Sequence, residues 1–168
     1  KGPSPLVYRF DQFSVTAEES APPPGGGTGG ADAISFTRSS HNVPSPTSMV
    51  WGPDGRLYVT ELFGKIHALT FNAAKQVTND QLITTLGTRL TLGITIDPAS
   101  TPSNVILWVS HSNPSLNAGT PDSSTITRLS GANFTTRQDV ITGLPRAVAN
   151  HAVNSLHFGP DGKLYIAQ

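Results

Sequence analysis

The sequence has 168 residues, and its 11 basic and 11 acidic side chains cancel to a formal net charge of zero. No run of either sign is present to track a phosphate backbone or an anionic membrane, so no nucleic-acid partner is expected. Cysteine is absent, which excludes disulfides, zinc fingers and thiol catalysis together.

Charged residues make up 13% of the chain, against about 25% in an average globular protein. Ser, Thr, Asn, Gly and Pro fill the difference, a balance suited to short strands joined by many turns. No apolar run approaches the roughly 18 residues that span a bilayer, and no signal peptide is visible. The chain begins without Met and stops at Gln168, in or just after a strand; it reads as a piece of a longer protein.

Residues 6–17 alternate as one long strand or a bent pair, with Leu6, Tyr8 and Phe10 and then, one position out of phase, Phe13 and Val15 as core candidates. Residues 1–19 are therefore expected to close an upstream β module, and the run resembles the last strand of a jelly-roll or lectin-like sandwich. Pro22–Pro24 followed by Gly25–Gly27, Gly29 and Gly30 cannot bury a core, so residues 20–31 read as a linker. A phosphate-cradling glycine loop would need a GK[ST] ending between a strand and a helix, and neither is present.

Residues 32–168 read as one β unit. Met49–Trp51 and Arg56–Thr60 flank Gly52-Pro53-Asp54-Gly55, where Pro presets φ, Asp bonds the backbone ahead of it and Gly supplies φ > 0. Lys65–Phe71 follows a Phe63-Gly64 turn, and Gln81–Leu86 is the next strand candidate. Leu92–Pro98 and Val105–Ser110 form a looser copy with Ala99–Asn104 inserted; Ser110–Ser124 reads as a long surface loop, and Thr125–Leu129 as a strand. Phe158-Gly159-Pro160-Asp161-Gly162-Lys163-Leu164-Tyr165-Ile166 then repeats the first hairpin nearly position by position. A strand–turn–strand unit recurring at about 40 to 50 residues is the mark of propeller blades. No segment carries helical periodicity over the 10 to 12 residues a helix needs. The expected fold is all-β, about two to three blades of a propeller.

Five blocks in order, Trp51–Glu61, Gly64-Lys65-Ile66, Leu92–Pro98, Gly143-Leu144-Pro145 and Asn150-His151 with Phe158–Gly162, resemble the soluble glucose/sorbosone dehydrogenases. The resemblance covers roughly residues 45–168. It implies a six-bladed propeller with pyrroloquinoline quinone at one end of the channel, calcium beside it with ligands expected outside this stretch, a carbohydrate substrate, and an extracellular or periplasmic address. It further implies that His151 is the base that takes the proton from a sugar hydroxyl while hydride leaves the same carbon for the quinone. Asn150 and Asn154 would then lie against the cofactor.

Four positions depart from the family pattern. Asn150 stands where a carboxylate often orients the base, so it can orient but not charge-stabilise the imidazole. Val153 and Asn154 replace two small residues that let the backbone approach the flat cofactor, and a valine there is expected to narrow the site. Thr88 or Arg89 occupies the place of a Gln or Glu. A non-catalytic propeller that binds carbohydrate or protein at a cell surface is the alternative reading. His41, His67, His111 and His157 share no metal-ligand spacing, and turn chemistry accounts for Asp54 and Asp161. Asn133-Phe134-Thr135 is a glycosylation sequon, and no GxSxG elbow occurs.

Overall fold

The computed structural model describes residues 39–115, 119–147 and 151–168. The expected strand at 6–17, the linker at 20–31 and Asn150 lie outside them.

Turn chemistry sets the local structure. At the first Gly-Pro-Asp-Gly, Gly52 N–H donates to Arg56 C=O at 2.8 Å, and Gly55 takes φ 75°. The second copy closes the same way, Gly159 N–H to Lys163 C=O at 2.9 Å with Gly162 at φ 73°. The aspartates do more than turn the chain. Asp54 accepts the Arg56 backbone N–H at 3.2 Å, Arg56 Nε at 2.5 Å and the Tyr58 hydroxyl at 2.8 Å. Burial pushes this carboxyl up, but the bonds from Arg56 and Tyr58 outweigh it and hold the pKa below the usual carboxylate range. Tyr58 is fully buried, whereas its counterpart Tyr165 is 58% exposed. Asp54→Ala therefore orphans a buried hydroxyl and is expected to cost about 1–3 kcal/mol. Asp161→Ala should leave the melting temperature unchanged; equal losses from the two variants would refute this difference in role.

The strands are β1 (Pro46–Trp51), β2 (Leu57–Glu61), β3 (Ile66–Phe71), β4 (Val77–Ile83), β5 (Leu90–Ile96), β6 (Leu107–Ser112), β7 (Ser124–Ser130), β8 (Thr136–Leu144), β9 (Leu156–Phe158) and β10 (Leu164–Ile166). They form two four-stranded sheets, β1-β2-β3-β4 and β5-β6-β7-β8, and a hairpin of β9 and β10. Every neighbouring pair is antiparallel. The first strands of the three units are laterally adjacent, β5 packing on β1 and on β9.

Alternation along β6 divides the core. Leu107 and Val109 join Tyr58, Ile66, Ala68, Ile83, Ile94 and Phe134 between the two large sheets. Trp108, on the opposite face, packs with Ile126, Val153 and Leu156 toward the hairpin and meets Phe158 edge-on at 5.7 Å. Its indole N–H reaches Asp97 Oδ2 at 2.7 Å, satisfying the one polar atom of a half-buried ring.

Three expectations need correction. The fourth strand is Val77–Ile83 rather than Gln81–Leu86; its Thr78-Asn79-Asp80 start faces solvent at a sheet edge, where no apolar alternation is required. Strand β8 has no counterpart among the expected strands for the same reason, being exposed or half-buried throughout. β6 runs on to Ser112, so the loop begins at Asn113, and both His111 and Ser112 are fully buried. Among the described residues the only helical turn is the 3-10 turn Ala132–Phe134, and no helix is long and apolar enough to cross a membrane.

Candidate functional site

Strands are antiparallel within each sheet, and Thr91 N–H donates to Leu62 C=O at 2.9 Å while Asn154 crosses Gly93, so the starts of β1, β5 and β9 share one end. The β2–β3 and β6–β7 loops lie there too, and both Gly-Pro-Asp-Gly turns lie at the other end. Residues 151–155 arrive at the first end and are held by backbone contacts. Asn154 N–H donates to Ala167 C=O at 2.9 Å, Ala147 N–H donates to His151 C=O at 2.9 Å, and the Ser110 hydroxyl donates to Asn154 C=O. A Cβ on Gly93 would collide with that same Asn154 carbonyl and with the Ser110 hydroxyl. Glycine at 93 is thus the condition for the segment to cross β5 closely. Gly93→Ala is expected to cost about 1–3 kcal/mol, as overpacking does, seen as a lowered melting temperature; an unchanged one would mean that the segment yields freely.

Along this segment the side chains separate. Ala152 and Val153 are buried, Val153 completely, while His151 and Asn154 are exposed. Val153 packs with Ile126 and Leu156, so the valine expected to narrow the site instead points into the sheet packing. The His151 ring and the Asn154 amide make no hydrogen bond with the described residues and remain open to a ligand. His157 is exposed as well, on β9 opposite Tyr165.

A second feature at this end corresponds to no sequence motif. Arg89, just before β5, donates from Nε to His111 Nδ1 at 2.9 Å and from a terminal nitrogen to Ser123 C=O at 3.2 Å. His111 Nε2 lies 2.6 Å from Thr127 Oγ1, and Thr127 donates to Asp139 Oδ1 at 2.6 Å. A carboxylate only accepts, so the Thr127 hydrogen goes to Asp139 and His111 must carry its hydrogen on Nε2. Arg137 closes the row with two bonds to Asp139 at 2.9 and 3.0 Å and one to Leu86 C=O at 3.1 Å. Burial, reinforced by the Arg89 and Arg137 charges, pushes the His111 pKa down to about 3, against a smaller opposing pull from Asp139. The imidazole is therefore neutral. His111 shares a strand face with the core residues Leu107 and Val109, and that alternation is the signal available in the sequence.

On the first sheet, His67 sits between Glu61 at 2.7 Å and Asp80 at 2.8 Å, and His41 meets Asp80 at 3.0 Å. These groups satisfy one another. No cluster of three or more His, Asp or Glu side chains that could hold a metal ion occurs among the described residues. A groove of about 390 Å³ lies at the opposite end, where Arg56 bonds Asp54 and Gln81, and Gln81 bonds Asn133. Arg56, Gln81 and Asn133 there are engaged with one another or with Asp54, whereas the His151 ring and the Asn154 amide are bonded to none of the described residues, which makes them the stronger candidate.

No family model and no curated protein matches the sequence. Solved structures do. An oxidoreductase (glucose dehydrogenase) from Thermus thermophilus superposes with a TM-score of 0.55 at 21% identity, over 74% of this chain and 36% of that one. The pyranose dehydrogenase PQQ domain from Coprinopsis cinerea superposes at 0.53 and 15% identity, over 71% and 26%. The chain folds as part of a β-propeller. At these identities the likeness is one of fold, and the chain spans about a third and a quarter of the two structures it matches. β1–β4 are one blade, β5–β8 the next, and β9–β10 the inner hairpin of a third. β1, β5 and β9 lie side by side, and Arg89 and His151 precede β5 and β9 at the same end.

Proposed function

We propose that this chain is the part of a six-bladed, quinone-dependent sugar dehydrogenase that carries the catalytic base. The observation that supports it is the exposure of the His151 ring and the Asn154 amide at the end where β1, β5 and β9 begin, on a segment whose backbone is fixed from both sides. Fixed backbone with open side chains is what a positioned base requires. His151 takes the proton from the sugar hydroxyl at an imidazole nitrogen, and Asn154 holds the cofactor's edge through its amide. Pyrroloquinoline quinone, when bound, would supply the acceptor for the two electrons that leave the same carbon. Val153 is buried against Ile126 and Leu156, so it does not stand beside the exposed His151 and Asn154 as an obstacle to such a group.

Titrating the complete protein with the quinone and calcium, followed by absorbance, and then measuring sugar-dependent dye reduction, tests the reading. Saturable binding and turnover are expected. No binding of quinone would leave a propeller that binds carbohydrate or protein without catalysis.

A further inference from the structure

In a chain with no net charge, a local excess of one sign needs an explanation. The fields of Arg137 and Arg146 both reach Arg89, and Asp139 is the one carboxylate that reaches it in turn. Asp139 is already engaged by the Arg137 fork and by Thr127. Arg146 is buried, spends its terminal nitrogens on the carbonyls of Asn113 and Ser115, and keeps an unpaired Nε. It holds the β6–β7 loop and adds positive potential. Arg89 is only partly buried, and both of its bonds go to neutral acceptors, leaving one terminal nitrogen without a partner among the described residues.

We propose that Arg89 is the residue at which this site recognises a carboxylate on its ligand. The inference rests on the reading of the mouth as a sugar and quinone site, and that carboxylate belongs either to an acidic sugar, a uronate or aldonate, or to the quinone itself. Guanidinium binds carboxylate through a planar fork, stronger than a neutral hydrogen bond and demanding in orientation. His111 supplies the orientation. As a neutral imidazole with its hydrogen on Nε2, it accepts from Arg89 Nε and, without cancelling the charge, leaves the end of the guanidinium as the fork, where one terminal nitrogen is free among the described residues and the other keeps its second N–H. A carboxylate at position 111 would have paired with the guanidinium and silenced it. Burial and the neighbouring arginines disfavour the bare cation, so an arriving anion relieves a repulsion the folded protein already carries.

The test uses the complete protein and two variants, Arg89→Gln and Arg89→Lys. Quinone binding is followed by absorbance, and stabilisation by D-glucuronate and by D-glucose is followed as a thermal shift. Loss of one charged pair is worth about ten- to hundredfold in affinity. If the sugar carries the carboxylate, Arg89→Gln loses glucuronate by that factor and keeps glucose and quinone. If the quinone carries it, Arg89→Gln loses quinone affinity and keeps both sugars. Arg89→Lys, which keeps the charge but not the fork, falls between wild type and Arg89→Gln, and it decides the matter if Arg89→Gln does not fold. Variants that bind all three ligands as the wild type does overturn the proposal, even where quinone binding and turnover uphold the dehydrogenase reading. Conversely, wild type that binds no quinone but is stabilised by glucuronate through Arg89 sinks the dehydrogenase reading and leaves carboxylate recognition standing. Wild type that responds to neither carboxylate ligand overturns it outright.

Discussion

Replacing His151 with glutamine is expected to lower sugar-dependent turnover by about 10² to 10⁴, the usual worth of a positioned base. The melting temperature should hardly move. The ring is exposed and bonded to none of the described residues, and substitutions at such positions usually stay within about 0.5 kcal/mol. The segment around it is anchored through backbone atoms at His151 and Asn154 and through buried Val153, none of which the substitution alters. Dye reduction and thermal unfolding measured side by side separate a base from a structural histidine. Activity that stays proportional to folded protein in His151→Gln would exclude the catalytic role.

A second large effect is expected in acid. His111 has a native pKa of about 3 and an ordinary value of 6.5 when unfolded. A depressed pKa means that the unfolded chain binds a proton the folded one refuses. Its contribution is thus complete above about pH 6.5 and is lost as the pH falls toward 3. Between pH 7 and pH 4.5 this single group should remove about 2–3 kcal/mol of stability. Asp54, Asp80 and Asp139 also have lowered pKa values, but their stabilisation is lost only lower, as the pH falls through and below the carboxylate range. Arg89, Arg137, Asp139 and Thr127 face the imidazole, and their retention in His111→Gln makes that variant the control. Chemical denaturation across the window should show a steep slope in wild type and a much flatter one in His111→Gln. Equal slopes would place the acid sensitivity elsewhere.

The turns are legible in the sequence because their causes are local. Pro53, Asp54 and Gly55, like Pro160, Asp161 and Gly162, carry φ, side-chain bond and positive φ within adjacent residues, and their recurrence with alternating flanks is enough to specify antiparallel blades. His151 is singled out by the resemblance of its block, Asn150-His151 with Phe158–Gly162, to the glucose/sorbosone dehydrogenases, and that block is carried by the chain alone. Direction is another matter. Whether Val153 obstructs the mouth or packs inward depends on the segment before β9 crossing Gly93 at close range, a contact with Asn154 far along the chain. The outer strands β4 and β8 leave little trace in the sequence because an exposed edge strand needs a partner for its backbone and little apolar alternation. The row from Arg89 to Arg137 joins four stretches of chain through the register of β6, β7 and β8. The sequence by itself determined the repeating hairpin and the strand-rich architecture; the candidate base came from a family resemblance. Only the tertiary structure decided which polar side chains are buried together, because burial and charge pairing are set by neighbours across strands, which no local pattern encodes.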